Sequence, residues 1–532
     1  MRFSASLAFL VYLFALRHHL AQAGFADLPS DGALALRRAV DIAMLQDLPT
    51  RGNSIGPYYW FGVADDYLLA PFLVGAANLE VVLRRCAMFH ALCAPIGFAI
   101  GAVLRRPLMG LVFGLSLAAL PDLVNLSGSY PLNYRTTHWA LLALAGTSLL
   151  ASSDRSETAR QFGAATLLVA ASLAVASHPF GIAALPAALL VCVSSRVWPR
   201  GRLAWACLVV ISLCLVPYFA SNLDGLQFTL FGRGSDTRAD AALVLSGSLT
   251  ALDNLSGALS GLPGGAAAGL ALLSGAPLCA FRRESRPALI LAALWILGAY
   301  GAFLLAGYPP KTWHLRPCLY LGLGLGFMGW ASAYSWLLQR TPPLPGGLAA
   351  PQLPWAMALG LCLVFYFLKP APSAPADSSP VRAFAELSTA VLEIAQERPF
   401  QYIEAQSHCP LNWSAEATML DLHLRSGDFS LGTHEDAPLL AAIQRVGTFE
   451  VHNMASPVRE LSLPNGLSFR LHWSLYPQAW REQLLKYCPN NQNETNQEAF
   501  YLGGPARGAL DSPCWVQGAC DLSSPPPNSR YD

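Results

Sequence analysis

The sequence predicts an all-α polytopic membrane protein of about eleven transmembrane helices, with a small α/β domain at its C-terminal end on the extracytoplasmic side. Three observations predict it. The 532 residues are 54% hydrophobic and only 13% charged, against roughly 25% charged in soluble domains. Apolar runs of span length recur from the N-terminus to Leu368. Beyond a linker rich in Pro, Ala and Ser (369–380), the chain turns polar and strand-like.

The first apolar run, SASLAFLVYLFAL, follows Arg2 and precedes Ala21-Gln22-Ala23, a pattern shared with signal peptides. Arg17-His18-His19 stands between the apolar stretch and those small residues, which favours an uncleaved first span at 3–16. Further spans are expected at 86–104, 107–124, 138–151, 162–177, 180–193, 203–221, 262–281, 288–307, 318–338 and 355–368. This threading puts Arg105-Arg106, Arg155 with Arg160, Arg196 with Arg200 and Arg202, Arg282-Arg283 with Arg286, and Arg340 on one side. The positive-inside rule makes that side the cytoplasm. The chain is then a multi-pass protein of the (inner) cell membrane, with a cytoplasmic N-terminus and a periplasmic or extracellular tail.

Cysteine usage points the same way. Of twelve cysteines, eight lie in or beside spans, where they act as small hydrophobes. Cys409, Cys488, Cys514 and Cys520 lie in the polar tail. An even set in an oxidising compartment implies two disulfides with three possible pairings. The tail (381–532) opens on an amphipathic helix at 381–399. Strand character follows at 401–406, 417–425, 448–454 and 467–476. The net charge of +1 leaves no basic stripe for a phosphate backbone, which excludes a nucleic-acid partner.

The loop between the first two spans (24–85) is unusually polar. GALALRRAVDIAML (32–45) has apolar residues at helical spacing, with Arg37, Arg38 and Asp41 on other faces, and suits a helix in the membrane interface. Asp31 stands just before it, where it either caps the helix or serves as a general base or cation ligand at the membrane surface. Asp65-Asp66 opens a second apolar helix, YLLAPFLVG, either as solvated capping acids or as a carboxylate pair sharing a proton or cation. Tyr58 and Tyr59, followed by Trp60 and Phe61, form an aromatic group suited to an interfacial belt or to stacking on a sugar. Arg135, Lys311, His314 and Arg316 fall at the expected outer interface, placed to bind a phosphate or lipid headgroups.

Several stretches occur in a familiar order. After the first span come an acid opening an amphipathic helix, a Gly/Pro/Tyr stretch, and YLLAPFLVG. Downstream lie PDLVNLSGSYPLNYRTTHWALLALAG, ASHPFGIAALPAALL, LVPYFASNL and TWHLRPCLYLGLGLGF. Over roughly 1–340 this order resembles the GT-C glycosyltransferases, in particular their RgtA/B/C/D-like and dolichyl-phosphate-mannose-protein mannosyltransferase-like branch. The resemblance implies transfer of a sugar from a polyprenyl-phosphate-linked donor to a glycan, lipid or protein acceptor of the cell envelope. It also implies that an acid of the first outer loop acts as base or as ligand of a divalent cation such as Mg or Mn. By position that role falls on Asp31, with Asp65 or Asp66 as second acid and Asp31 and Asp66 as the metal ligands. Where the family commonly has Asp-Glu, this chain has Ser30-Asp31. Two other readings compete: a catalytically silent relative that anchors a periplasmic interaction domain, and a lipid or sugar transporter. The transporter expects mid-membrane ionisable residues and symmetry between halves, and the sequence displays neither.

Overall fold

The structure is a computed structural model. It describes residues 2–23, 30–52, 54–55, 59–60, 62–124, 135–227, 259, 265–281, 283–306 and 312–338, together with short pieces of the C-terminal part: 381, 385, 388–389, 402–406, 420–422, 424–425, 439–445, 458–462, 468–475 and 497–501. Two compact units emerge. The first comprises Met1–Ala23, Arg38–Val74 and Arg84–Pro372, and the second Gly24–Arg37, Gly75–Leu83 and Ser373–Asp532.

Helices follow one another along the first three hundred residues. They are α1 (Arg2–Ala23), α2 (Ser30–Ala43), α3 (Ala64–Leu73), α4 (Leu79–His90), α5 (Cys93–Val103), α6 (Pro107–Ala119), α7 (Pro121–Val124), α8 (Arg135–Ala151) and α9 (Glu157–Ser177). A 3-10 turn over Pro179–Ala183 leads into α10 (Ala184–Ser195), then α11 (Gly201–Gln227) and α12 (Gly265–Leu273). A second 3-10 turn (Ala276–Phe281) precedes α13 (Arg286–Ala306) and α14 (Thr312–Leu338). A two-residue hairpin in the first loop pairs β1 (Ser54–Ile55) with β2 (Tyr59–Trp60).

Among the described residues, three segments are long and apolar enough to cross a membrane: Leu79–Val103, Glu157–Ser177 and Gly201–Leu223. Pro107–Ala118, Gly181–Ser195, Gly269–Phe281 and Arg286–Gly301 are shorter apolar helices. A chain with this many such helices is a polytopic membrane protein. The expected span at 355–368 lies outside the described residues.

Two boundaries move. The second span begins at Leu79 rather than at residue 86 and is interrupted at Ala91–Leu92, between α4 and α5. Asn78 is what starts it early, its side-chain oxygen accepting from the Val81 N–H at 2.9 Å. In the first loop, Ser30 is already helical, so Asp31 lies inside the first turn of α2 rather than at its cap.

The helices approach closely where glycine removes the Cβ. A Cβ on Gly163 of α9 would stand 2.5 Å from the Leu150 nitrogen of α8, and one on Gly101 of α5 would stand 2.3 Å from the Gly110 Cα of α6. Small residues let membrane helices pack backbone to backbone, where no hydrophobic driving force exists between apolar surfaces already in lipid. The centre of the first unit is apolar and dense. Trp295, Tyr320, Phe98 and Phe327 are fully buried, and Phe113 stacks on Phe327 with ring centroids 4.6 Å apart.

One end of this bundle gathers basic loops. Arg105 pairs with Asp154 at 2.9 Å, Arg155 donates to the Val103 carbonyl at 2.9 Å, and Ser153 donates to Glu284 at 2.9 Å. Arg106 lies over the Tyr334 ring at 5.7 Å. The helices α8 and α9 run from this end to the opposite one, roughly 30 Å away for a 21-residue helix. Ser152, donating to Asp154 at 2.6 Å, and the Arg105 guanidinium hold the Asp154 carboxyl below the usual carboxylate range.

In the second unit, β3 (Tyr402–Gln406), β4 (Leu439–Arg445), β5 (Val458–Ser462), β6 (Ser468–Leu475) and β7 (Gln497–Tyr501) form a mixed sheet of order β5-β6-β4-β3-β7. β3 and β4 are parallel and the other pairs antiparallel. The strands expected at 401–406 and 467–476 coincide with β3 and β6. The segment 417–425, expected as a strand from its alternating LDLHL, is helical at 420–422 and 424–425. The alternation is compatible with both periods, because Leu420 and Leu424, and Asp421 and Arg425, are also one helical turn apart. The segment 448–454 and all four tail cysteines, Cys409, Cys488, Cys514 and Cys520, lie outside the described residues.

Candidate functional site

At the end of the first unit opposite the basic loops, α3 presents two acids in its first turn. Both are buried: Asp65 is 5% exposed and Asp66 2%. The expectation of solvated capping acids is therefore overturned, since neither faces solvent and the α3 cap, Val63, makes no side-chain cap bond. A buried carboxylate must be partnered. Asp66 is met by Arg38 of α2, whose Nε lies 3.0 Å from Asp66 Oδ2. Asp65 Oδ1 accepts from the indole N–H of Trp139 on α8 at 3.0 Å.

The same indole N–H is shared with Ser177 Oγ at 2.9 Å, at the end of α9. Ser177 in turn donates to the Leu173 carbonyl at 2.6 Å. These five side chains thus tie α2, α3, α8 and α9 together. Gly62 makes the approach possible, since a Cβ there would fall 1.6 Å from the Ala176 carbonyl oxygen. The strand-like segment before α3 is pinned as well. Tyr67 donates to the Pro49 carbonyl at 3.2 Å and Ser221 to the Thr50 carbonyl at 3.2 Å. Burial, with Asp47 and Asp66 nearby, raises the Tyr67 phenol above its usual range, so it stays a donor.

Aromatic and imidazole rings line the same end. Phe89 stacks on His138 at 5.4 Å and meets Trp139 edge-on at 6.4 Å. His90 lies 5.6 Å from His138 and 6.4 Å from His19. Beside Trp139, the hydroxyls of Thr136 and Thr137 are buried in the first turn of α8 and make no hydrogen bond among the described residues. His178, expected in an apolar hairpin, is buried and forms the turn after α9, its N–H donating to Ala174 O at 3.2 Å and its carbonyl accepting from Gly181 at 2.7 Å.

The other expected site residues are placed as follows. Asp31 is the second residue of α2, Tyr59 lies in β2, Arg135 opens α8 and His314 lies in α14, each with a side chain outside the described ones. Arg316 is half-buried in α14. Tyr58 and Lys311 lie outside the described residues. The structure thus brings Asp65 and Asp66 together with three residues the sequence reading did not select: Arg38, Trp139 and Ser177. Arg38 carried the only prior signal, as a cation in an amphipathic helix.

The two acids do not fit a divalent cation. Asp66 is engaged by a guanidinium, which repels a metal ion, and Asp65 is engaged by an indole donor. Among the described residues no group of three His, Cys, Asp or Glu is placed to hold one.

The fold has counterparts among solved structures. It is similar to ArnT from Cupriavidus metallidurans bound to undecaprenyl phosphate, with a TM-score of 0.53 and 13% identity over 88% of this chain and 97% of that one. The apo state of the same protein aligns with a TM-score of 0.50 and 14% identity over the same shares. No family model and no curated protein matches the sequence.

Proposed function

We propose that the chain is a membrane glycosyltransferase that takes a sugar from a polyprenyl-phosphate-linked donor and transfers it to a cell-envelope acceptor. One observation carries the reading: a pair of buried, partnered acids at the bundle end opposite the basic loops, in a fold like that of a protein solved with undecaprenyl phosphate. The positive-inside rule makes that end extracytoplasmic.

A lipid-linked donor cannot leave the bilayer, so its sugar–phosphate bond lies at headgroup depth, the level assigned here to α3 and the start of α8. In the proposed step, the Asp31 carboxylate takes the proton of an acceptor hydroxyl. The acceptor oxygen bonds to the anomeric carbon as the bond from that carbon to the phosphate oxygen breaks. Polyprenyl phosphate leaves with the bonding electron pair. Arg135, Lys311, His314 and Arg316 are the cations assigned to the developing phosphate charge. The N-terminus of α8, with the Thr136 and Thr137 hydroxyls, is assigned as a source of uncharged donors. Asp65 and Asp66 are assigned a positioning role, because Trp139 and Arg38 already occupy them. Tyr58 and Tyr59 are assigned to stacking on the sugar. No step is routed through a cation. A divalent ion at Asp31 stays a separate element of the proposal, removed if transfer persists in EDTA.

The test uses undecaprenyl phosphate as probe, with the purified protein in nanodiscs and native mass spectrometry as readout. The reading expects a retained one-to-one adduct, weakened in Arg316→Met. Absence of any adduct over a phosphatidylglycerol control would contradict it. The silent-anchor reading draws on the same ion pair, since Asp66 is tied to Arg38. It expects the adduct without sugar transfer.

A further inference from the structure

We infer that the C-terminal segment braces the first large loop from a distance, with the Asp421 carboxylate acting as a cap for the membrane-length helix that begins at Leu79. The observation lies within the second unit and does not depend on the proposed transferase activity. Asp421 Oδ1 accepts from the Leu79 backbone N–H at 2.7 Å, across 342 positions of sequence. Both residues are 1% exposed.

A helix leaves its first N–H groups without intrahelical partners. Asn78 satisfies the Val81 N–H locally, at 2.9 Å. The buried Leu79 N–H is met by Asp421 instead. A carboxylate is a strong acceptor there, because the bond is charge-assisted and the N-terminal end of the helix dipole favours negative charge. The other carboxylate oxygen is held by Arg425 Nε at 2.7 Å, one helical turn away. That pair fixes the direction in which Asp421 Oδ1 points. Leu420, Leu422 and Leu424 of the same turn are buried, so the segment is packed in place rather than trailing at the surface.

The turn that carries Asp421 and the helix start at Leu79 thereby form one framework within the second unit.

Hydrogen–deuterium exchange on the full chain in nanodiscs tests this. Asp421→Asn keeps the size of the side chain and removes its charge, and Arg425→Met frees the carboxylate from its second partner. The inference expects exchange in a peptide spanning 75–83 to speed up about tenfold in the first variant and several-fold in the second. Peptides from 157–177 should be unchanged. Wild-type exchange at 75–83 in both variants would overturn it. If Asp421→Asn loosens the whole chain, Arg425→Met decides. Arg425 is partly exposed, so its loss is tolerated, and unchanged protection at 75–83 would then contradict the brace.

Discussion

Arg38 and Asp66 form an ion pair at 3.0 Å with side chains only 16% and 3% exposed, joining the interfacial helix α2 to the acid-bearing helix α3. Removing one partner of a buried pair leaves a charge with neither water nor counter-charge, which costs more than the pair contributes. Arg38→Met is therefore expected to destabilise the protein by about 3 kcal/mol. The double variant Arg38→Met/Asp66→Asn should recover most of that loss. Thermal unfolding in detergent checks both. A double variant no more stable than Arg38→Met would show that the two residues act independently.

The indole of Trp139 serves Asp65 and Ser177 with one N–H, so Trp139→Phe keeps the ring and deletes the donor. The buried Asp65 oxygen then loses a partner, a loss of about 1–3 kcal/mol. Ser177→Ala should cost less, since Trp139 keeps its bond to Asp65. Unfolding midpoints in the order wild type, Ser177→Ala, Trp139→Phe are expected.

How much of this was visible beforehand differs by element. The acid doublet opening an apolar helix at 65–66 is plain in the sequence, because a helix start and its apolar run are local patterns. The partners of those acids are not local. Arg38 lies 28 positions from Asp66, and Trp139 lies 74 positions from Asp65. Trp139 also sits in a stretch that reads as an ordinary span. The solvated reading of Asp65 and Asp66 failed because burial is decided by α8 and α9 folding over α3. Likewise, the alternation in LDLHL matched a strand, yet the i,i+4 pair of Asp421 with Arg425 exists only in a helix. The start of the second span at Leu79 depends on Asn78 and Asp421, one adjacent and one distant.

Gly62 sets how near α3 comes to the end of α9. With a Cβ 1.6 Å from the Ala176 carbonyl, Gly62→Ala forces backbone to move rather than a flexible side chain. Overpacking of this kind costs about 1–3 kcal/mol. The displacement would also separate Asp65 from Trp139. Tryptophan fluorescence near Trp139 and thermal unfolding should change together. An unchanged midpoint would mean that the segment around Gly62 relaxes without strain.

At the other end, Asp154 gives a pH signature. Its carboxyl is held below the usual carboxylate range, chiefly by the Ser152 hydroxyl and then by the Arg105 guanidinium. A folded-state pKa below the unfolded one adds stability above the unfolded value, and that stability is lost as pH falls through the folded one. The midpoint difference between wild type and Asp154→Asn should be constant above about pH 5 and close as pH drops below 3.8. Because Asp154 is half-exposed, the difference should also shrink at high salt.

Sugar transfer by the Asp31 variant tests the central claim most directly. Membranes carrying wild-type protein or Asp31→Asn, at matched expression, are supplied with a radiolabelled polyprenyl-phosphate-linked sugar pool, and label reaching envelope acceptors is counted. The account predicts transfer by the wild type and a loss of at least about a hundredfold in Asp31→Asn, the scale of a missing general base. Transfer by Asp31→Asn at the wild-type rate would contradict the assignment of the base, and no transfer by either protein would contradict the enzyme.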